Sequence, residues 1–429
     1  MSSRTATPWG GIALVGLGGL FAGVTGPLLS AFVPILVRDV LGERRTAIGS
    51  VMAIDNVLLL LLVPLAGLLS DRAVAAGRSR LPLVLAGFAL AAIGMIVFPV
   101  APAGGLAGIV AAIVVLYGGI NLQRSPFQAF LADAIPSRFR SLATASVTFQ
   151  MCVGAIVFLM LGRALGMRVA FLVSAVTIGI IGLALSRVAT RASAHPDDPE
   201  AAPPSFTAVV LAAARGAAPG MRAVFAATFL IQLTFQTFTT WFALHGTERF
   251  GVAPGDVTIG FIAWALGGVL GAWPAGVLGV RLGRRSTMVL GFGLMAASLL
   301  WLDRVSSLRA ALPLLMLASA SWTLPTVNAY PLFVESTPAS QRGLLAGLYL
   351  LCMALGGAIG DPMNGRLFDA FGGYRPLFLM MALYSGIAMV TTLLVPRGAG
   401  EADTAGAAHD LRQTAPLATA ARPVDAPPA

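Results

Sequence analysis

Of the chain's 429 residues, 57% are hydrophobic and only 11% are charged. A soluble domain carries about 25% charged residues, so a soluble enzyme or binding domain is excluded. The formal charge of +10 comes from 28 arginines and no lysine, and in a membrane chain such residues flank spans and face anionic lipid rather than nucleic acid.

Arg4 precedes an apolar run from Trp9 to about Val37. The run is too long for a signal-peptide core and has no cleavage site, so it reads as an uncleaved first span. A spanning helix needs about 20 mostly apolar residues. Such runs fall near 9–37, 46–69, 82–101, 105–128, 141–165 and 167–187, then near 222–245, 256–279, 286–303, 308–333, 342–364 and 374–396. The expected organisation is an all-α polytopic membrane protein of twelve transmembrane helices in two pseudo-symmetric six-helix bundles, 1–187 and 222–396. A polar, Pro-rich cytoplasmic linker, 188–221, joins them, with a short interfacial helix expected from Phe206 to Ala214. The tail 397–429, rich in Ala, Pro, Thr and Asp, is expected to be disordered and cytoplasmic. With the N-terminus inside, 17 arginines fall in inner loops and tails against 10 in outer loops, Arg124 being intramembrane. That bias points to both termini in the cytoplasm. Cys152 and Cys352 each lie inside an apolar run without CxxC spacing, as packing residues do, and support neither a disulfide nor a metal site.

The halves echo one another. Gly67-Leu-Leu-Ser-Asp71-Arg72, closing with Gly77-Arg78-Ser79-Arg80, recurs as Gly276-Val-Leu-Gly-Val280-Arg281, closing with Gly283-Arg284-Arg285; the first loop is three residues longer. Asp133 precedes Arg140 by seven residues, as Glu335 precedes Arg342, and Gly154 and Gly356 each follow their arginine by 14. Several matches in one order argue for two six-helix halves in parallel, the architecture of major facilitators.

These loops resemble the signature of the major facilitator superfamily, a glycine, an acidic residue and an arginine, then glycine and basic residues. Asn121-Leu-Gln-Arg124-Ser-Pro126-Phe-Gln128-Ala-Phe-Leu-Ala-Asp133 is similar to the fourth helix of the glycoside–pentoside–hexuronide cation symporters, most of all the sucrose–proton symporters. Asp55-Asn56 and the long loop after Asp71 fit that group, and Asn328-Ala-Tyr330-Pro331, Glu335 to Tyr349, and Phe368 to Arg375 resemble its second half. Gln128 is a departure: plant-type sucrose carriers have Arg there, while here Arg124 stands one turn earlier on the same face. The resemblance implies proton-coupled transport of a sugar or glycoside in a cell inner membrane.

Asp55 lies about nine residues into its span, roughly 13 Å along the axis and near the bilayer midplane. A carboxylate kept there is costly and is usually used. Asp55 is therefore the expected proton-coupling acid and Arg124 its possible partner; a fixed structural ion pair between the second and fourth helices is the alternative. The candidate gating set is Gly67, Asp71, Arg72, Gly77, Arg78, Arg80, Asp133, Arg140, Gly276, Arg281, Gly283, Arg284, Arg285, Glu335 and Arg342. In it, Asp71 is expected to cap the N-terminus of the eleventh helix. Against this stands the plainer reading of solvated loop charges that only set topology. Val280 occupies the mirrored position, so the two half-interfaces should be unequal. Candidate substrate contacts are Asn56, Asn121, Gln128, Gln150, Gln232, Gln236, Trp241, Trp322, Asn328 and Tyr330, amides for hydroxyls and rings for an apolar sugar face. Neighbouring Thr239, Thr240, Ser319, Ser321, Thr323 and Thr326 share their spans, but Ser and Thr often bond their own helix backbone, and His245 reads as an interfacial residue.

Phosphate loops, metal-ligand clusters and nucleophile elbows are absent from the sequence, so no cofactor and no enzyme chemistry are expected, and without a Walker motif no ATP drive. The expected partners are a small-molecule substrate, sugar first, a coupling cation, proton first, and lipid, with the chain a monomer that binds no nucleic acid. A proton-driven exporter of hydrophobic or cationic compounds, and a non-transporting membrane sensor, remain as alternatives.

Overall fold

The structure, a computed structural model, describes residues 9–135, 140–188, 219–335 and 342–395. Among these residues the chain forms twelve α-helices and no strand. The first six are α1 (Trp9–Leu41), α2 (Arg45–Ala75), α3 (Leu81–Val97), α4 (Gly105–Ala134), α5 (Arg140–Leu165) and α6 (Met167–Val188), with a 3-10 segment, Phe98–Gly104, between α3 and α4. The second six are α7 (Pro219–Phe250), α8 (Pro254–Arg281), α9 (Arg284–Leu302), α10 (Leu308–Glu335), α11 (Arg342–Phe371) and α12 (Leu377–Leu393). Nine helical stretches among the described residues are long and apolar enough to cross a membrane, one of them running through both α3 and α4. Helices satisfy their own backbone hydrogen bonds, which is why an apolar chain can cross lipid in this form. The expected interfacial helix at Phe206 to Ala214 and the tail beyond Arg397 lie outside the described residues.

Lipid is as apolar as leucine, so helices in it associate through close packing of small residues rather than through the hydrophobic effect. Gly19 and Gly23, four apart on α1, lie directly on the α5 backbone: a Cβ at either would sit 1.9 Å from the Val147 carbonyl oxygen or 2.1 Å from that of Met151. Gly267 and Gly271 repeat the device on α8 against Met316 and Ala320 of α10, at 2.1 and 2.6 Å. Aromatic stacking fills the wider gaps, Phe21 on Phe88 at 4.4 Å in the first half and Phe238 on Trp264 at 4.0 Å in the second.

The repeated loops share positive-φ glycines as well as a sequence. Gly77 and Gly283 both have positive φ, +70° and +81°, just past the ends of α2 and α8. At α2 the amide of Gly77 donates to the Val74 carbonyl and that of Arg78 to the Ala73 carbonyl, the paired closure that a left-handed residue after a helix permits. The first loop uses its extra length to bring Arg80 back onto Ser70 and Asp71. In the second, Arg285 instead donates to the Leu393 carbonyl at the end of α12, 2.6 Å away. These bonds tie each loop to its own half.

The halves meet through glycine-assisted and charged contacts gathered towards the end that carries the α1–α2 loop. There α2 and α11 run antiparallel, and Arg163 of α5 reaches Asp256 of α8 at 3.0 Å. Towards the other end, Leu61, Leu65, Leu68 and Leu69 on α2 and Leu270 and Trp273 on α8 are exposed, and a Cβ on Gly276 would meet nothing. Gly19→Val is expected to destabilise the lipid- or detergent-embedded protein by about 1–3 kcal/mol, the usual cost of overpacking against backbone. Gly386→Ala, where a Cβ meets open space, is expected to leave the thermal midpoint unchanged or slightly raised; equal effects of the two in a thermal-melt assay would contradict the packing described here.

Candidate transport site

The α2–α11 seam organises the central polar residues. The α2 N-terminus has no capping side chain of its own at Arg44. Its first amides are instead satisfied from across the seam: Arg45 N–H donates to Asp369 Oδ1 at 3.0 Å, and Thr46 N–H and Oγ1 donate to Asp369 Oδ2 at 2.9 and 2.6 Å. A carboxylate at a helix N-terminus both fills orphan donors and meets the positive end of the helix dipole. The Arg45 guanidinium lies 4.9 Å over the Tyr374 ring, with Glu43 at 3.0 Å and Glu248 at 3.9 Å. Glu248 in turn accepts the Tyr374 amide at 3.0 Å.

Below this latch the helices approach closely, turn by turn. A Cβ on Gly365 would collide with the Arg45 carbonyl at 2.4 Å, one on Gly49 with the Asp361 carbonyl at 2.2 Å, and one on Gly357 with the Asn56 amide at 2.3 Å. This ladder sets the depth of two carboxyl groups. Asp55 lies ten residues, or about 15 Å, from the start of α2, and Asp361 lies the same ten residues from the end of α11. With Asp361 level with Gly49, and Asn56 level with Gly357, the two acids stand about one helical turn apart along the axis, roughly 6 Å.

Asp55 is half-buried, and its Oδ1 accepts a 2.9 Å hydrogen bond from Asn121 of α4, which also donates to the Tyr117 carbonyl. No ion pair within 4 Å joins Asp55 to Arg124 among the described residues; Arg124 acts on it as a more distant charge. Arg124 and Gln128, one turn apart on α4, are exposed. An arginine turned to lipid at mid-span would be costly, so this face borders the water-accessible cleft.

Asp361 is wholly enclosed, at 0% exposure. Gln236 of α7 donates to its Oδ2 at 3.1 Å while Oδ1 has no partner. The Trp241 indole N–H faces the same carboxyl without reaching hydrogen-bond geometry, and is itself unpartnered and fully buried. One turn along, Asn364 donates to Thr237 at 2.8 Å and accepts from Tyr384 at 2.7 Å, joining α7, α11 and α12.

The expected substrate contacts divide by position. Asn56, Asn121 and Trp241 lie in the seam; Asn328 spends its amide on the Ala275 and Leu324 carbonyls and so ties α8 to α10. Gln150 donates to the Ala13 carbonyl of α1. Gln232 and Gln236 are half-buried on α7, Trp322 stacks on Phe235 at 4.9 Å, and Tyr330 is exposed. Thr239, Thr323 and Thr326 bond carbonyls of their own helices, as Ser321 does. His245 is buried at the latched end, its Nδ1 2.8 Å from the Tyr374 carbonyl. In the gating set, Asp71, Arg72, Arg78 and Arg281 are exposed, and Asp71 holds Arg80. The side chains of Asp133, Arg140, Glu335 and Arg342 lie outside the described residues, as does any partner Asp71 has among them. Two functional-site residues escaped the sequence reading, Asp361 and Asp369. The signal for Asp361 is an acid four residues after Gly357, following the apolar and glycine run Leu355-Gly-Gly-Ala-Ile-Gly360.

The family model of the Major Facilitator Superfamily matches residues 13–262 and 224–425. The chain belongs to the major facilitator superfamily. Its fold is that of solved transporters in this superfamily. A bacterial homologue of the human lysosomal transporter Spinster, in an inward-facing and occupied conformation, aligns over 91% of this chain and 97% of its own at a TM-score of 0.73 and 13% identity. The same homologue in an inward-facing and unoccupied conformation aligns at a TM-score of 0.75 and 14% identity, over 91% and 98% of the two chains. A point mutant of the nucleoside transporter NupG aligns over 89% of this chain and 99% of its own at 0.70 and 13% identity. No curated protein matches the chain in sequence. The protein is a membrane transporter and not an enzyme.

Breaking the latch should shift the balance of states. Asp369→Ala removes a helix cap worth about 0.5–2 kcal/mol, a two- to thirtyfold change in an equilibrium between closed and parted seams. With Cys152 and Cys352 replaced, a cysteine at Ala53, on the α2 face between Gly49 and Asn56, is expected to react with maleimide faster by that factor. An unchanged rate would show that Asp369 does not hold the seam.

Proposed function

We propose that this chain is a proton-coupled symporter of a sugar or glycoside in a cell inner membrane, with both termini cytoplasmic and alternating access between its halves. The observation that carries the reading is Asp55. It sits about 15 Å into α2, hydrogen-bonded to Asn121 of the neighbouring helix rather than locked to an arginine, beside a cleft face that holds Arg124 and Gln128. A carboxyl group without a fixed counter-ion is free to gain and lose a proton as its surroundings change. The half-buried amides Gln232 and Gln236, with Trp322 against Phe235, supply donors and a flat apolar surface suited to a sugar ring.

In this reading the arginine bias places the latched α1–α2 end outside, so the structure is closed outwards, the side of the membrane that the inward-facing Spinster homologue also closes. Asp71, at the opposite end of α2, is the complementary device: in the outward-open state it leaves Arg80 and caps the α11 N-terminus, with the arginines of both loops and Asp133, Arg140, Glu335 and Arg342 completing the gate. The chain works as a monomer on one substrate and one coupling proton.

A second reading, proton-driven export of hydrophobic or cationic compounds, is favoured by Asp361, a second carboxyl group in the same seam with no arginine within 4 Å among the described residues. Uptake into proteoliposomes under an imposed pH gradient, screened across sugars, separates the two. A potential of 100 mV is worth about 2.3 kcal/mol per charge, enough for some 40- to 50-fold accumulation. Wild type is expected to concentrate one sugar only with the gradient, and Asp55→Asn to retain exchange but lose concentrative uptake. Gradient-independent transport by wild type would remove proton coupling, and efflux of lipophilic cations with no sugar uptake would favour the exporter.

A further inference from the structure

Asp361 has no role in the symport reading, yet its surroundings are unusual. It is fully enclosed among α2, α4, α7 and α11. From α7 it faces Gln236, Thr240 and Trp241, none charged; from α2, Asp55; from α4, Tyr117. Of the cations around the seam, Arg45 is held at its end by Asp369, Glu43 and Tyr374, and Arg124 of α4 acts on Asp55 from beyond ion-pair distance. Gln236 satisfies one carboxyl oxygen, while the other and the facing indole N–H are unpartnered. A bare carboxylate there, with a second acid one turn away and no cation within 4 Å among the described residues, would carry a desolvation cost of several kcal/mol. Some cation must offset it. The α2 and α11 backbones are in close contact on either side of the acid, Gly49 against the Asp361 carbonyl and Gly357 against Asn56. A proton needs no cavity.

We propose that Asp361 is a second proton-binding acid, which takes its proton from the outer water as the α2–α11 seam closes and returns it there when the seam parts, so that its proton sets the seam while Asp55 carries the coupling proton. This rests on the proton-coupled reading above and extends it. In the closed seam the acid is a neutral carboxylic acid. On parting, its O–H bond breaks, the electron pair stays on the carboxylate and the proton goes to water, so charge is conserved without any co-reactant. Trp241 and Gln236 then donate to the carboxylate left behind.

Infrared spectroscopy of the full-length protein in lipid vesicles tests this without a known substrate. At neutral pH the wild type is expected to show a protonated-carboxyl C=O stretching band that shifts in D2O. The band should disappear in Asp361→Asn, persist in Asp55→Asn, and return at a displaced frequency in Asp361→Glu, which also guards against misfolding of the Asn variant. In Asp369→Ala the band should weaken in proportion to the parted fraction reported by the cysteine at position 53. Absence of the band from wild type, its survival in Asp361→Asn, or constant intensity while the seam parts would each overturn the proposal. Gradient-dependent sugar uptake could stand in any of those cases, and its failure would leave the band untouched, so the two readings fail separately.

Discussion

Asp369 capping the start of α2 is the contact on which the arrangement of the two halves depends. A helix begins with amides that have no partner in the helix, and α2 leaves them to a residue more than three hundred positions away. The bond therefore lends secondary-structure energy to a tertiary interface: α2 is fully capped only while α11 lies against it. Gly365, Gly49 and Gly357 carry the same constraint inwards, because any side chain at these positions would push the helices apart. The seam is thus set by one carboxylate and three missing methyl groups, with few apolar contacts needed to hold it.

That economy suits a protein that must open. A seam built like a soluble core would stand many kcal/mol below any alternative, whereas alternation needs two states within a few kcal/mol of one another. A cap worth about 0.5–2 kcal/mol and an exposed ion pair such as Arg163–Asp256, worth about 1 kcal/mol or less, are of the right size. The glycine contacts within each half, α1 on α5 and α8 on α10, lie on backbone and have no charged component, so each half keeps its shape while the seam changes.

Much of this was legible in the sequence because membrane helices announce themselves. Twelve apolar runs map onto twelve helices, and the matched glycines Gly77 and Gly283 both have positive φ. Asp55 was visible because it interrupts a long apolar run. Asp361 was not, for a specific reason: Gly360-Asp361-Pro362 reads as a turn, and ending the eleventh span at 364 puts the acid at the membrane surface. The helix instead continues through Pro362 to Phe371, as membrane helices tolerate proline where neighbours re-satisfy the backbone, and this carries Asp361 about 15 Å inside. Asp369 was hidden for the opposite reason. Its partner is a backbone terminus, which has no residue signature. The expected Asp55–Arg124 partnership was a fair deduction from charge alone, but Asn121 lies a turn nearer, and a neutral donor costs less to bury than a guanidinium.

Reciprocity links the two acids to the latch. Whatever free energy the closed seam charges for an ionised Asp361, an equal amount is returned when a proton is bound, so protonation favours closure by as much as closure favours protonation. The proton thereby acts on the same two helices that Asp369 joins, and from within the seam rather than at its rim. Asp55, half-buried and already held by Asn121, is less bound to that geometry and can exchange with the cleft while Asp361 stays enclosed. Two acids at nearly one depth but unequal enclosure thus give the halves different titration conditions in one conformation. A single acid on a symmetric seam would not, and the asymmetry lies in α11, where the first half has Leu159 at the position related by the repeat offset of 202.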